Sequence, residues 1–247
     1  MKNHFIIVGA QRSGTTYLYN ILDEHPEICM AKPVKPEPKY FIDKEINDLD
    51  YNEYISLFFN NCNNTAKIYG EKSTSYYERK ESANQISKLI PDAKIIFLLR
   101  DPVERAISNY YFSFNNGLEN RTLEDVFIKR KVISQENIKW ISVNPFNYFE
   151  RGEYFKFIKL YQNNFKSKQL KIIAFEEFRN NKNKIQNLYS FLGVDNKYVP
   201  SAINKIINPS VKENQISIEV LEKLKAYYKL PIEELEQMIN IDLSIWK

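Results

Sequence analysis

The stretch Gly9-Ala10-Gln11-Arg12-Ser13-Gly14-Thr15-Thr16 follows the apolar run Phe5-Ile6-Ile7-Val8 and leads into Leu18, Ile21 and Leu22 at helical spacing. A strand, a glycine-bounded loop and a helix in that order match the phosphate-loop pattern G-x-x-x-x-G-K-[ST], except that Thr15 stands in the lysine position. Glycine at both turns lets successive backbone N–H groups point inward, and the helix opening at Gly14-Thr15 adds its positive end, so an anion is expected there. Arg12 supplies the charge that the missing lysine would have carried, because a guanidinium is always protonated and grips two oxygens of one tetrahedral group.

A nucleotide kinase normally uses that lysine, together with a metal ion held by the next hydroxyl and a strand-end aspartate. Asp101 is the convenient aspartate, but it is accounted for as a helix cap, and Arg100 beside it puts a positive charge where a metal would go. No metal is therefore expected. A P-loop kinase stands as the second reading, and a catalytically silent nucleotide-binding module as a third.

The loop needs a sheet to hold it. Lys94-Ile95-Ile96-Phe97-Leu98-Leu99-Arg100 reads as a buried strand, and Asp101-Pro102-Val103-Glu104 opens a helix with a cap, a proline at its first position and a box-like return contact from Glu104. Leu170 to Phe175 reads as a further strand, and a helix near Lys184 to Leu192 ends at Gly193. Alternating strands and helices predict an α/β, P-loop-type three-layer fold with a mainly parallel central sheet flanked by helices. One domain over residues 1–247 is expected, with an irregular helical excursion from Tyr111 to Tyr148.

Composition narrows the classes. A formal charge of +4 favours anionic ligands only mildly, and with no basic stretch interleaved with aromatics, nucleic acid is not an expected partner. The apolar run near the N-terminus is too short for a signal peptide or a membrane span. Cys29 and Cys62 lack metal-ligand spacing, and two thiols in 247 residues fit a reducing compartment, so both are expected free and the protein cytoplasmic.

With these residues in view, the chain resembles the PAPS-dependent sulfotransferase superfamily (PAPS is 3′-phosphoadenosine-5′-phosphosulfate), most of all the bacterial enzymes related to heparan sulfate sulfotransferases. The resemblance covers nearly the whole chain. Gln11-Arg12-Ser13-Gly14-Thr15-Thr16 is similar to the family's 5′-phosphosulfate loop, with Arg12 where many relatives carry lysine. Leu99-Arg100-Asp101-Pro102-Val103-Glu104-Arg105-Ala106-Ile107-Ser108 is similar to its 3′-phosphate element, which implies that Arg100 and Ser108 bind that phosphate. Less specific matches are Gly70-Glu71-Lys72-Ser73 before Tyr76-Tyr77, Arg151-Gly152-Glu153-Tyr154, and Ile241 to Trp246.

The resemblance implies in-line transfer of a sulfuryl group from PAPS, released as the bisphosphate PAP, to a hydroxyl or amine of an acceptor, with a saccharide as the family-based guess. Such a transfer needs a base and cations to offset charge on the leaving phosphate. Arg12 and Lys72 are the implied cations. Glu37, ahead of Tyr40-Phe41 and framed by three prolines that restrict its loop, is the implied base. Those relatives often carry histidine two positions after this glutamate; here Lys39 stands there. The only histidines are His4 and His25, and His25 before Pro26 reads as a capping or packing residue.

Overall fold

The computed structural model describes residues 2–47, 50–131, 144–204 and 216–247. The elements are β1 (Asn3–Gly9), α1 (Thr15–Asp23), β2 (Ile28–Met30), α2 (Asp50–Phe58), β3 (Ile68–Lys72), α3 (Lys80–Leu89), β4 (Lys94–Leu99), α4 (Pro102–Asn115), α5 (Leu123–Phe127), α6 (Tyr154–Gln162), β5 (Leu170–Ala174), α7 (Phe175–Phe178), α8 (Lys182–Leu192) and α9 (Ile218–Ile239). They fall into two compact units, Met1–Leu99 with Phe157–Ile207, and Arg100–Lys156 with Asn208–Lys247.

The first unit holds a sheet ordered β2-β3-β1-β4-β5, every pair parallel. Its strands read as apolar runs because both faces are covered. Phe5, Ile7, Ile96, Leu98 and Ile173 form one core with Leu18, Ile21 and Leu22 of α1 and Ile185, Leu188 and Leu192 of α8. Alternate residues turn to the opposite face. There Phe97 meets Tyr161 of α6 edge to face at 5.2 Å, and the Tyr161 hydroxyl donates to the Tyr76 carbonyl at 2.8 Å. Helix α8 stops at Gly193, whose φ of +82° is the left-handed cap expected there. The α/β architecture with a parallel sheet between helices is thus the observed one.

The two histidines are packing residues. His25 Nδ1 accepts from the Glu27 amide at 3.1 Å, its Nε2 lies 2.8 Å from the Asp195 carbonyl, and its ring packs on Tyr189 and Tyr198. His4 sits among Tyr51, Tyr54, Phe59 and Tyr69, and burial pushes its imidazole down to about 4.

The thiols are not free, which corrects the expectation: Cys29 and Cys62 form a disulfide with Cα atoms 5.6 Å apart. Cys29 lies on the edge strand β2 and Cys62 in the turn after α2. The strand–helix crossover brings them together in space, whereas their separation of 33 residues carries no local signal. The argument from free thiols to a reducing compartment therefore lapses. Replacing both cysteines by serine is expected to lower stability by about 2–4 kcal/mol, read as a shift of the urea midpoint that reducing agent reproduces in the parent protein.

In the second unit α4 packs on α9 around a polar core. Arg105, fully buried, donates to the Tyr148 carbonyl and to Asn109, and the Tyr228 hydroxyl of α9 donates to the Tyr148 and Phe149 carbonyls. Gly152 is required at the close approach, since a Cβ there would lie 2.6 Å from the Tyr228 ring. Of the expected Tyr111–Tyr148 excursion, α4 continues to Asn115 and α5 follows, while residues 132–143 lie outside the described residues. Among the described residues no helix is long and apolar enough to cross a membrane.

Candidate functional site

Strand β1 runs between β3 and β4, and the chain leaves it at Gly9 where the order of strands changes direction. Ligands of open parallel sheets collect in such a crevice at the carboxyl ends. The Ala10 amide donates to the Leu98 carbonyl at 2.8 Å, which ties the loop to the end of β4. Arg12 has a φ of +68°, and Gly14, the residue preceding α1, a φ of +83°. A Cβ on Gly14 would fall 2.4 Å from the Phe175 ring, so only glycine fits where conformation and space both demand it.

Helix α1 has no side-chain cap and no acidic residue in its first turn. Its N-terminal amides and partial positive charge are therefore left for another acceptor. Ser13 is fully buried, and its Oγ has no hydrogen-bond partner among the described residues. A buried hydroxyl without a partner is costly, and an anion seated in the loop would supply the acceptor. Thr15 is buried, while Gln11, Arg12 and Thr16 are half-buried around it.

One strand away, β3 delivers Lys72 to the same edge: Lys72 pairs in register with Ile7, two residues before Gly9. Its side chain is 7% exposed, and its ammonium makes an ion pair with the Glu37 Oε1, a contact neither a strand nor a helix would arrange by itself. Glu37 Oε2 accepts from the Thr74 amide at 2.8 Å and the Thr74 hydroxyl at 3.0 Å. The loop bearing Glu37 is stitched to the same segment at two further points, with Lys39 N–H donating to Ser73 Oγ at 2.9 Å and Phe41 N–H to the Tyr76 hydroxyl at 3.2 Å. Prolines restrict this loop as the sequence suggests, but its position is set by Ser73, Thr74 and Tyr76, for which the sequence suggests no such role.

The expected base and one expected cation thus meet. A carboxylate offers about four acceptor positions, so three donors leave one for an incoming O–H or N–H. Glu71, matched in the sequence without a role of its own, is fully buried and accepts from the Tyr54 hydroxyl at 2.6 Å; a charged residue inside a strand covered on both faces is the signal that marks it.

Arg100 and Ser108 belong to the second unit. Arg100 directly follows the last residue of β4, and its guanidinium holds Glu104 through two nitrogens at 2.6 and 2.9 Å. Asp101 caps α4 by accepting from the Val103 amide at 2.8 Å. Ser108 is buried, one turn beyond Glu104 on the same helical stripe. Among the described residues no group of three or more His, Cys, Asp or Glu side chains could hold a metal ion.

Residues 2–236 match the family model described as "Sulfotransferase domain". Human heparan sulfate glucosamine 3-O-sulfotransferase 3B1 is 27% identical over 173 residues, 69% of this chain and 40% of that protein. The mouse bifunctional heparan sulfate N-deacetylase/N-sulfotransferase 4 is 36% identical over 111 residues, 43% of this chain and 12% of that one. The chain spans less than half the length of these curated relatives. A crystal structure of a sulfotransferase from Alicyclobacillus acidocaldarius superposes with a TM-score of 0.78 at 26% identity, covering 100% of this chain and 99% of that one.

Proposed function

Because the chain belongs to the sulfotransferase domain family, we propose that it moves a sulfuryl group from PAPS to a hydroxyl or amine of a saccharide acceptor, residues 1–247 acting as one catalytic domain. The observation that carries this reading is the Glu37–Lys72 pair, held at the sheet edge beside an uncapped helix and a buried Ser13 hydroxyl that has no partner among the described residues.

In this reading Gln11, Ser13, Gly14, Thr15 and Thr16 hold the 5′-phosphosulfate through backbone N–H groups and hydroxyls, with the Arg12 guanidinium on its oxygens. Arg100 and Ser108 take the 3′-phosphate. PAPS supplies an activated sulfuryl group with PAP as the leaving group. Glu37 accepts the acceptor's proton as the acceptor oxygen or nitrogen bonds to sulfur and the bond from sulfur to the 5′-phosphate oxygen breaks. Arg12 and Lys72 offset the negative charge that collects on that phosphate, so the chain's own cations serve where a kinase would use its loop lysine and metal. The saccharide acceptor is supported by the heparan sulfate relatives, whose sulfotransferases act on that class of polymer by name.

Calorimetric titration with PAP in metal-free buffer, beside ATP with magnesium, tests the donor. PAP should bind and ATP with magnesium should not compete, and Arg100→Ala should weaken PAP by roughly 10–100-fold, the worth of a charge-assisted contact to phosphate. Preference for ATP with magnesium would overturn the reading in favour of a kinase.

A further inference from the structure

Strand β3 presents Glu71 and Lys72 to opposite faces, and both are buried, at 0% and 6% exposure. Only Lys72 meets an opposite charge. Among the described residues no cation pairs with Glu71: the neighbouring ammonium is taken by Glu37. Tyr54 of α2 donates to Glu71 Oε2 at 2.6 Å, from a nest of rings formed by Tyr40, Phe41, Phe58 and Phe59. Glu71 Oε1 is buried and makes no hydrogen bond among the described residues.

The hydroxyls of Ser73 and Tyr76 lie beside this carboxyl group. They are the same two hydroxyls that accept the Lys39 and Phe41 amides and so fix the loop of Glu37. We propose that Glu71 is a positioning residue kept as the neutral acid, which holds the Ser73 and Tyr76 hydroxyls under the Glu37 loop.

A buried carboxylate without a counter-ion sheds its charge by taking a proton. Burial is the largest influence on the Glu71 carboxyl and raises it above the ordinary carboxylate range, outweighing the hydrogen bonds from Ser73, Tyr54 and Tyr76 that lower it, and the Glu37 charge adds to the rise. The protonated acid carries an O–H donor of its own, which an ionised Glu71 lacks. Were Glu71 ionised, its buried charge and that of Glu37 would repel each other. The other titratable groups facing Glu71 are the Tyr54, Tyr76 and Tyr161 phenols, all pushed well above their ordinary range chiefly by burial, so none of them gives up a proton before Glu71 does.

The inference rests on the proposed function for its role in turnover, but its test does not. Infrared spectra of the full chain with 13C-labelled glutamate should show a protonated-carboxyl C=O band at neutral pH that Glu71→Gln removes. In the same samples, hydrogen exchange at the Lys39 and Phe41 amides should stay slow in Glu71→Gln and speed up at least roughly tenfold in Glu71→Ala, as expected when a buried hydrogen-bonding group is lost. Raising the pH should speed that exchange beyond its intrinsic dependence in the parent protein and not in Glu71→Gln. Absence of the band, or equal exchange in the glutamine and alanine variants, overturns the proposal. If the parent protein shows no PAP binding, the proposed function fails while the band and the exchange still decide the state of Glu71.

Discussion

Replacing Glu37 by glutamine is expected to lower kcat by roughly 10²–10⁴-fold, the usual worth of a general base, while leaving PAP affinity nearly unchanged. The amide keeps the shape of the carboxylate and can still accept from Thr74, so the loop tied down by Ser73 and Tyr76 should remain in place. What it loses is the capacity to take a proton, together with the charge that pairs with Lys72. Initial rates with PAPS and a glucosaminyl oligosaccharide, beside calorimetry with PAP, separate the two effects. A glutamine variant that turned over at the parent rate would remove Glu37 as the base. One that lost PAP affinity as well would recast the Glu37–Lys72 pair as a structural prop of the donor loop.

The second large effect is at Gly14. Alanine there must adopt a φ of +83° and place its Cβ 2.4 Å from the Phe175 ring. A left-handed alanine costs about 1–2 kcal/mol and overpacking about 1–3 kcal/mol, so about 2–5 kcal/mol is at stake within the loop itself. Gly14→Ala should therefore weaken PAP strongly and lower Tm together. Adding Phe175→Leu should recover the steric part and leave the conformational part, which a double-mutant cycle measures. Normal PAP binding in Gly14→Ala would mean that the loop does not hold the donor.

The phosphate-type loop was legible because its information is local: two glycines, the hydroxyls and a following helix period lie within fourteen residues, from Gly9 to Leu22. The same holds for the Asp101-Pro102 helix start and the Gly193 stop. Glu37 and Lys72 were legible only through the resemblance, since 35 residues separate them and no spacing rule connects a proline-framed loop to the end of β3. The clamping role of Ser73, Thr74 and Tyr76 was not legible, because hydroxyl residues after a strand read as an ordinary turn until the loop they clamp is seen. The disulfide was misread for a related reason: the pairing of Cys29 with Cys62 depends on where α2 returns the chain, a tertiary fact that composition replaced with a statistic about compartments.

The bridge also has a topological consequence for Glu37. Every residue from Met30 to Asn61, the whole segment carrying Glu37 and Tyr54 included, lies on a ring closed by the Cys29–Cys62 bond. A protease that cuts this segment once opens the ring without releasing a fragment. The two pieces stay one molecule until the sulfurs are reduced, so a nicked protein migrates as intact chain on a non-reducing gel and as two bands once thiol is added.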